Sequence, residues 1–303
     1  MGSGAVSVAL YLFLRNVHDV TIIARNRKRR NEIASVGIEV IDRVRGIEET
    51  VFPRVISVED VLEGNVPRAD VVFIAVKAYD LEGALEISRK IRGEPCIITL
   101  QNGIEPYERS LEVFGKRAVH GIVTFGAYRP SLNKVVIVSH GKIFIGSVFG
   151  RCPCVDKVLE CLQSSGIDAI YVDNVRGWLW VKLLVNAAIN PITSLLRAPN
   201  GIILMEPLRS LAMIIVEEGM EVAKKLGIEL PEDPRSVTLR IAEETKENLS
   251  SMLQDIVSCR RTEIDYISGA IARYAEQLGI DAKLNKAMHA LVKALELRCS
   301  SQE

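Results

Sequence analysis

Lys182, Asn186 and Asn190 stand four residues apart in Trp178-Leu179-Trp180-Val181-Lys182-Leu183-Leu184-Val185-Asn186-Ala187-Ala188-Ile189-Asn190-Pro191, a stretch that is otherwise apolar. Residues four apart on a helix stack along one face, so the three form a polar stripe. A helix apolar on its remaining faces is a buried one, and burying a lysine with two amides costs free energy unless something answers them. Such a stripe should line a cleft, where the lysine can give up a proton and the amides can hold oxygen atoms. A second reading stays open: Lys182 extends to solvent while the asparagines bond neighbouring helices. Pro191 removes one helical hydrogen bond and is expected to break the helix, placing Asn190 at a kink.

A second chemical signature opens the chain. Met1-Gly2-Ser3-Gly4-Ala5-Val6-Ser7 has the spacing of a dinucleotide-binding glycine turn, with Ser7 at the third glycine's place. The first glycine permits a tight strand-to-helix turn, the second lets the backbone approach a pyrophosphate, and the third allows close packing of helix on sheet. An apolar helix from Val8 to Leu14 and a short strand from Asp19 to Ala24 follow in the expected order. At the end of that strand an acidic residue would bind the ribose of NAD. This chain has Arg25, followed by Arg27, Lys28, Arg29 and Arg30, which suits the 2′-phosphate of NADP. The same run also reads as a solvated helix start, and Asn26 could serve a ribose hydroxyl, so NADH stays open beside NADPH. No strand comes before the turn, and the expectation is that the first strand, with the true start, lies outside this sequence.

Three further positions carry candidate chemistry. Lys77 in Val76-Lys77-Ala78-Tyr79-Asp80 and Asn102 in Gln101-Asn102-Gly103 fall after apolar strands, at the carboxyl end of a sheet where open α/β folds bind ligands. Asn102-Gly103 also has the chemistry of a plain turn, and Lys77 that of a solvated loop lysine. Thr262 and Asp265 have the spacing of a near capping box that would start a helix at Glu263, either to favour the helix dipole or to face the lysine stripe.

Alternating elements must position these groups in the first half. Residues 37–41 and 51–56 read as half-exposed strands, the second pushed toward an edge by Pro53. Residues 70–76, 95–100 and 118–124 read as buried parallel strands. The stretches around 135–138 and 142–145, joined by Ser139-His140-Gly141, read as a hairpin. Together they predict an α/β Rossmann-like N-terminal domain over 1–172. From 173 to 303 the periodicity is helical, over 178–190, 206–227, 235–248, 263–278 and 282–297, broken by Pro191, Pro199, Pro231 and Pro234, and predicts an all-helical C-terminal domain.

Composition excludes several classes. The 303 residues are 48% hydrophobic and 25% charged with zero formal net charge, which gives no case for nucleic acid or membrane partners. No uncharged run approaches the roughly 20 residues of a membrane span, no secretory signal is visible, and a cytoplasmic location is expected. The six cysteines have no metal-type spacing, and no metal is expected. Reduced thiols are the default, with a disulfide through Cys152, Cys154 or Cys161 left open. The apolar faces of 204–216 and 287–295 leave room for a homodimer.

Taken in order, the glycine turn, Val76-Lys77-Ala78, Gln101-Asn102-Gly103, Lys182 to Pro191, Asn200-Gly201, Ser251-Met252-Leu253-Gln254-Asp255 and Thr262-Glu263-Ile264-Asp265-Tyr266 resemble the ketopantoate reductase family over nearly the whole chain. The resemblance implies NADPH-dependent reduction of ketopantoate to pantoate. It implies Lys182 as the general acid and Glu263 as its positioning partner. It further implies Asn186, Asn190, Asn200 and Ser251 on the substrate, and Gly2, Gly4, Ser7, Arg25, Lys77 and Asn102 on the cofactor. A related hydroxyacid dehydrogenase acting on another keto acid, or a non-catalytic NADP-binding regulator, are the competing functions.

Overall fold

In this computed structural model residues 1–300 are described, and they divide into two compact units. The first holds residues 1–101 and 106–175, the second 102–105 and 176 onward.

The first unit begins with α1 (Ala5–Leu14), whose apolar sides are nearly all buried, followed by β1 (Thr21–Ala24) and α2 (Arg27–Val36). Asn26 caps α2 by accepting the Arg29 N–H at 2.8 Å, and Gly37, at φ +71°, ends it. Then come β2 (Ile38–Asp42), β3 (Ile47–Val51), β4 (Arg54–Ser57) and α3 (Val58–Leu62), the last started by a Ser57–Asp60 capping box. The chain continues through β5 (Val71–Ile74), α4 (Leu81–Lys90), β6 (Cys96–Thr99), α5 (Glu105–Phe114), β7 (Ala118–Val123), β8 (Gly126–Ser131), β9 (Lys134–Ser139), β10 (Ile143–Gly146), α6 (Pro153–Ser164) and β11 (Ala169–Tyr171).

These strands make three sheets: β1 with β4, then β11-β10-β7-β6-β5, then β3-β2-β9-β8. The β1–β4 pair and the β5, β6, β7 run are parallel, with β6 at the centre of its run buried throughout. One core cluster runs from α1 through Ile33, Ile98, Val119 and Ile143 to α6, so helices cover the sheets as in a Rossmann-like fold. At the glycine turn Met1 and Gly2 bridge two sheets: the Met1 amine donates to the Phe73 carbonyl, the Ala75 N–H donates to the Met1 carbonyl at 3.0 Å, and the Gly2 N–H donates to the Ile23 carbonyl at 3.0 Å.

Two strand expectations are corrected. Residues 51–56 are not one strand, because Phe52-Pro53 divides β3 from β4 and sends them to different sheets. Nor do the strands flanking Ser139-His140-Gly141 form a hairpin. β9 pairs antiparallel with β8 through the turn at Leu132-Asn133, while β10 pairs with β7 and β11. Gly141 lies against the Thr124 backbone, where a Cβ would come within 2.5 Å, so the chain crosses there from sheet to sheet. Cys154 is disulfide-bonded to Cys96, so the bridge through Cys154 that the sequence left open forms in place of the reduced default.

The second unit is all-helical among the described residues: α7 (Val175–Leu196), α8 (Leu208–Lys225), α9 (Pro234–Glu244), α10 (Ser251–Val257), α11 (Ser268–Leu278) and α12 (Lys283–Ser300), with short 3-10 turns at Asn200–Leu204 and Ile264–Tyr266. α7 runs through Pro191 without ending, against the expected break. The hydroxyls of Thr193 and Ser194 both donate to the Asn190 carbonyl, at 3.0 and 2.7 Å, and tie the turn that contains the proline. α7 is long and apolar enough to cross a membrane by length and composition, but most of it is buried within the protein. The apolar faces of α8 and α12 that suggested a dimer contact are largely spent on each other and on α11, with Ile215, Val216 and Val292 fully buried. Ile214 and Leu291 remain exposed.

Candidate active site

The polar stripe on α7 forms as its spacing requires, and it meets two carbonyl-bearing partners within the helical unit. Asn190 is buried, while Lys182 and Asn186 are half-buried. The Asn186 amide donates to Oδ1 of Asn102 at 3.4 Å, and the Asn102 amide donates to Oε2 of Glu263 at 2.9 Å. Glu263 is only 6% exposed. Burial pushes the Lys182 ammonium down to about 8, and the negative charge of Glu263 works in the opposite direction. An amine held near neutral pH beside a buried carboxylate is a group that can pass a proton.

Hydrogen bonds to α12 fix this arrangement. No capping box forms at Thr262 and no α-helix starts at Glu263. The Thr262 N–H and hydroxyl both donate to Glu296, at 2.7 and 2.6 Å, and the Ile264 N–H donates to the Thr262 hydroxyl at 3.2 Å. Glu263 therefore enters a 3-10 turn, and α11 starts only at Ser268. Burial works against the Asp265 carboxylate, yet hydrogen bonds from His289, Lys293 and Arg261 outweigh it and hold its pKa down to about 2. Those bonds pin the turn that carries Glu263 to α12. Opposite, Gly103 has φ +92°, and a Cβ on it would come within 2.7 Å of the Tyr266 carbonyl. The turn reading of Asn102-Gly103 is thus met: a tight glycine turn presents Asn102 to Glu263.

The remaining substrate-side candidates differ in placement. The Asn190 amide nitrogen is buried with no hydrogen-bond partner, a donor that costs about 1–3 kcal/mol while unmet. Ser251 is exposed at the first turn of α10, next to the buried cap Ser250. Ser250, which sequence reasoning missed, shares a 2.7 Å hydrogen bond with Thr193 and so ties α10 to α7. A serine opening a short apolar run was the available signal. Asn200 is engaged elsewhere: its amide donates to Thr245 at 2.9 Å and its N–H to the Asn248 carbonyl at 2.9 Å, which fasten its 3-10 turn to α9 and the loop after it.

The cofactor candidates of the first unit cluster at the glycine turn. Gly2 has φ +103°, and a Cβ on it would crowd Ser7 Oγ and the Ala75 carbonyl at 3.0 and 3.1 Å. Gly4 is the N-cap of α1; no side chain caps it, and a Cβ there would meet nothing within 4 Å. That leaves an open helix N-terminus, the kind of cradle a pyrophosphate takes. Ser7 turns its hydroxyl to the Met1 carbonyl at 3.4 Å, so the residue at the third glycine's place is absorbed by the turn itself. Of the basic run, Arg27 and Arg30 pair with Asp60, and Arg29 is buried against the Leu132 carbonyl and Asn133. Arg25 and Lys28 are exposed and make no ion pair among the described residues, so these two can meet a phosphate. Lys77 begins the turn after β5. Among the described residues no group of three metal-ligating side chains occurs.

Sequence comparison adds what geometry does not supply. The family model of ketopantoate reductase PanE/ApbA matches residues 1–150, and that of its C-terminal part matches 174–296. The chain belongs to the ketopantoate reductase family. It is 38% identical to the 2-dehydropantoate 2-reductase of Pyrobaculum aerophilum over 75% of this chain and 77% of that protein. It is 34% identical to that of Pyrococcus horikoshii over 98% of this chain and 96% of that protein. Among solved structures, a ketopantoate reductase from Ralstonia eutropha JMP134 superposes with a TM-score of 0.85 at 27% identity, covering 99% of this chain and 98% of the other. A D-mandelate dehydrogenase bound to NADH and anilino(oxo)acetate matches with a TM-score of 0.89 at 23% identity, over 99% of this chain and 97% of the other. That last likeness concerns the fold alone, which serves more than one hydroxyacid. Like the rest of the ketopantoate reductase family, the chain is an oxidoreductase.

Proposed function

We propose that this ketopantoate reductase reduces 2-dehydropantoate to pantoate with NADPH, and that Lys182 is its general acid. The observation that carries the reading is the lysine itself: an ammonium held at about 8 by burial, on one helix face with Asn186 and Asn190, in the field of a buried Glu263.

The cofactor, when bound, supplies the hydride. As it reaches the keto carbon, negative charge builds on the ketone oxygen, and Lys182 transfers its proton there to give the alcohol. A cation aimed at that oxygen is worth more in the transition state than in the ground state. Glu263 keeps the lysine charged and, through Asn102, orients Asn186. Asn186 and Asn190 donate to substrate oxygens, Ser251 receives the carboxylate, and Asn200 serves by holding its turn to α9. On the cofactor side, Gly2, Gly4 and Ser7 would hold the pyrophosphate, Lys77 and Asn102 the nicotinamide and its ribose, and Arg25, with Lys28, the 2′-phosphate. Exposed Ile214 and Leu291 fit a homodimer contact, and a cytoplasmic place belongs to the same proposal.

The test is cofactor oxidation followed with ketopantoate and with other 2-keto acids, using NADPH and NADH in turn. Ketopantoate with NADPH is expected to give the highest kcat/KM. A folded, NADPH-binding protein that reduces another keto acid at least about tenfold better would overturn the substrate assignment.

A further inference from the structure

α10 has only seven residues, too few to hold a helix in place by itself, yet it carries Ser251 in its first turn. Its buried side chains Met252, Leu253 and Ile256 give adhesion without direction. At its far end the Cys299 thiol, a weak donor, meets the Ile256 carbonyl at 3.5 Å. The tie at its near end is stronger. Ser250 and Thr193 share a 2.7 Å hydrogen bond, and the two residues are 5% and 0% exposed.

The protons along this tie can be placed. The Thr193 hydroxyl lies 2.8 Å from the Ile189 carbonyl and 3.0 Å from the Asn190 carbonyl, and a carbonyl only accepts, so the one Thr193 proton goes to these two. Thr193 Oγ1 then accepts from Ser250, and Ser250 Oγ accepts the Leu253 N–H at 3.2 Å. A single polarised row runs from the backbone of α10 to that of α7: Leu253 to Ser250, Ser250 to Thr193, Thr193 to Ile189 and Asn190. One end of the row adjoins Ser251. The other is Asn190, whose amide nitrogen is buried with no hydrogen-bond partner.

We propose that Thr193 and Ser250 are a positioning pair for the substrate: their hydrogen bond sets where Ser251 stands relative to Asn190. This rests on the reading in which Ser251 takes the substrate carboxylate and Asn190 another of its oxygens. Both hydroxyl protons of the pair are committed within the protein, so Thr193 and Ser250 act through their neighbours and not by touching substrate. Breaking the bond affects the two contacts unequally. The Ser194 hydroxyl also donates to the Asn190 carbonyl, at 2.7 Å, and holds that part of α7 without Thr193, whereas α10 loses the tie at its start. The carboxylate contact is the one displaced. It lies away from the reacting oxygen, so its loss weakens binding in ground and transition states alike, and Lys182 keeps its rate on bound substrate.

The test is steady-state kinetics of Thr193→Val, Ser250→Ala, the double variant and Thr193→Ser, with amide exchange at Leu253 read on the same proteins. Thr193→Val is expected to raise KM for ketopantoate about tenfold, to leave kcat within about twofold of the parent, and to speed exchange at Leu253 about tenfold or more. Thr193→Ser keeps the hydroxyl and should restore all three. The double variant leaves neither hydroxyl of the pair unanswered, so it keeps the test open where a single variant fails to fold. Its KM should be no higher than that of Ser250→Ala alone, because both substitutions remove one bond. Parental KM in Thr193→Val, a fall in kcat in place of the rise in KM, an unmoved Leu253 amide, no rescue by Thr193→Ser, or costs that add in the double variant would overturn the proposal. Where the parent prefers another 2-keto acid, the same split is read with that acid. A parent that reduces no keto acid sinks the enzymatic reading, whereas an active parent whose KM is untouched by Thr193→Val sinks the positioning pair alone.

Discussion

Lys182 and Glu263 divide one proton problem between them. Burial lowers the lysine to about 8 and the carboxylate opposes that fall, so the acid is charged at neutral pH yet ready to release its proton. Reduction requires the protonated lysine. The account therefore predicts a kcat/KM for keto-acid reduction that is level below about pH 8 and falls tenfold per unit above it. Glu263→Gln removes the charge that raises the lysine, so that limb should move to lower pH while the protein stays folded. An unmoved limb, or one moved upward, in the pH profile of the variant would refute the coupling. The stripe was legible from four-residue spacing alone. The Asn102–Glu263 bond was not, because its partners lie 161 residues apart and no periodicity relates them. The basic run at residues 25–30 was half-legible: charge type was plain, but which arginines were spent on Asp60 and Leu132 depended on tertiary neighbours.

At the scale of elements, two turns rather than two helices hold the site. Gly103 lets the loop after β6 lie against the 3-10 turn that carries Glu263, at a φ that side chains resist. Gly103→Ala is expected to cost about 1–3 kcal/mol of stability. It should also lower kcat about tenfold or more by displacing Asn102, measured by thermal melting together with steady-state rates. Full activity with an unchanged melt would show that the turn has slack. The helix expected from Glu263 fails because Thr262 gives both its donors to Glu296 instead of closing a capping box, a long-range competition invisible to local spacing. Pro191 misled for the opposite reason. Its cost is local, but Thr193, Ser194 and the buried surroundings of α7 carry the helix past it. The hairpin expected at 139–141 failed because turn chemistry signals reversal, not which sheet the next strand joins.

For the molecule as a whole, the order of motifs carried more than any one of them. A glycine turn or an Asn-Gly pair is common, whereas the succession from Gly2 to Glu263 belongs to one family, and the matches at 1–150 and 174–296 fall on the same succession. The α/β character of the first unit and the helical character of the second followed from periodicity. The division of the α/β strands into three sheets did not, since it depends on which distant strands pair, such as β2 with β9 and β1 with β4. The central claim is that Lys182 protonates the substrate ketone. Its most direct test is the steady-state rate of NADPH oxidation with ketopantoate for the parent chain and for Lys182→Ala. NADPH binding by fluorescence would be measured alongside. The account predicts a kcat lower by about 10²- to 10⁴-fold in the variant with NADPH affinity retained. A variant that binds NADPH and turns over at the parent rate would contradict it.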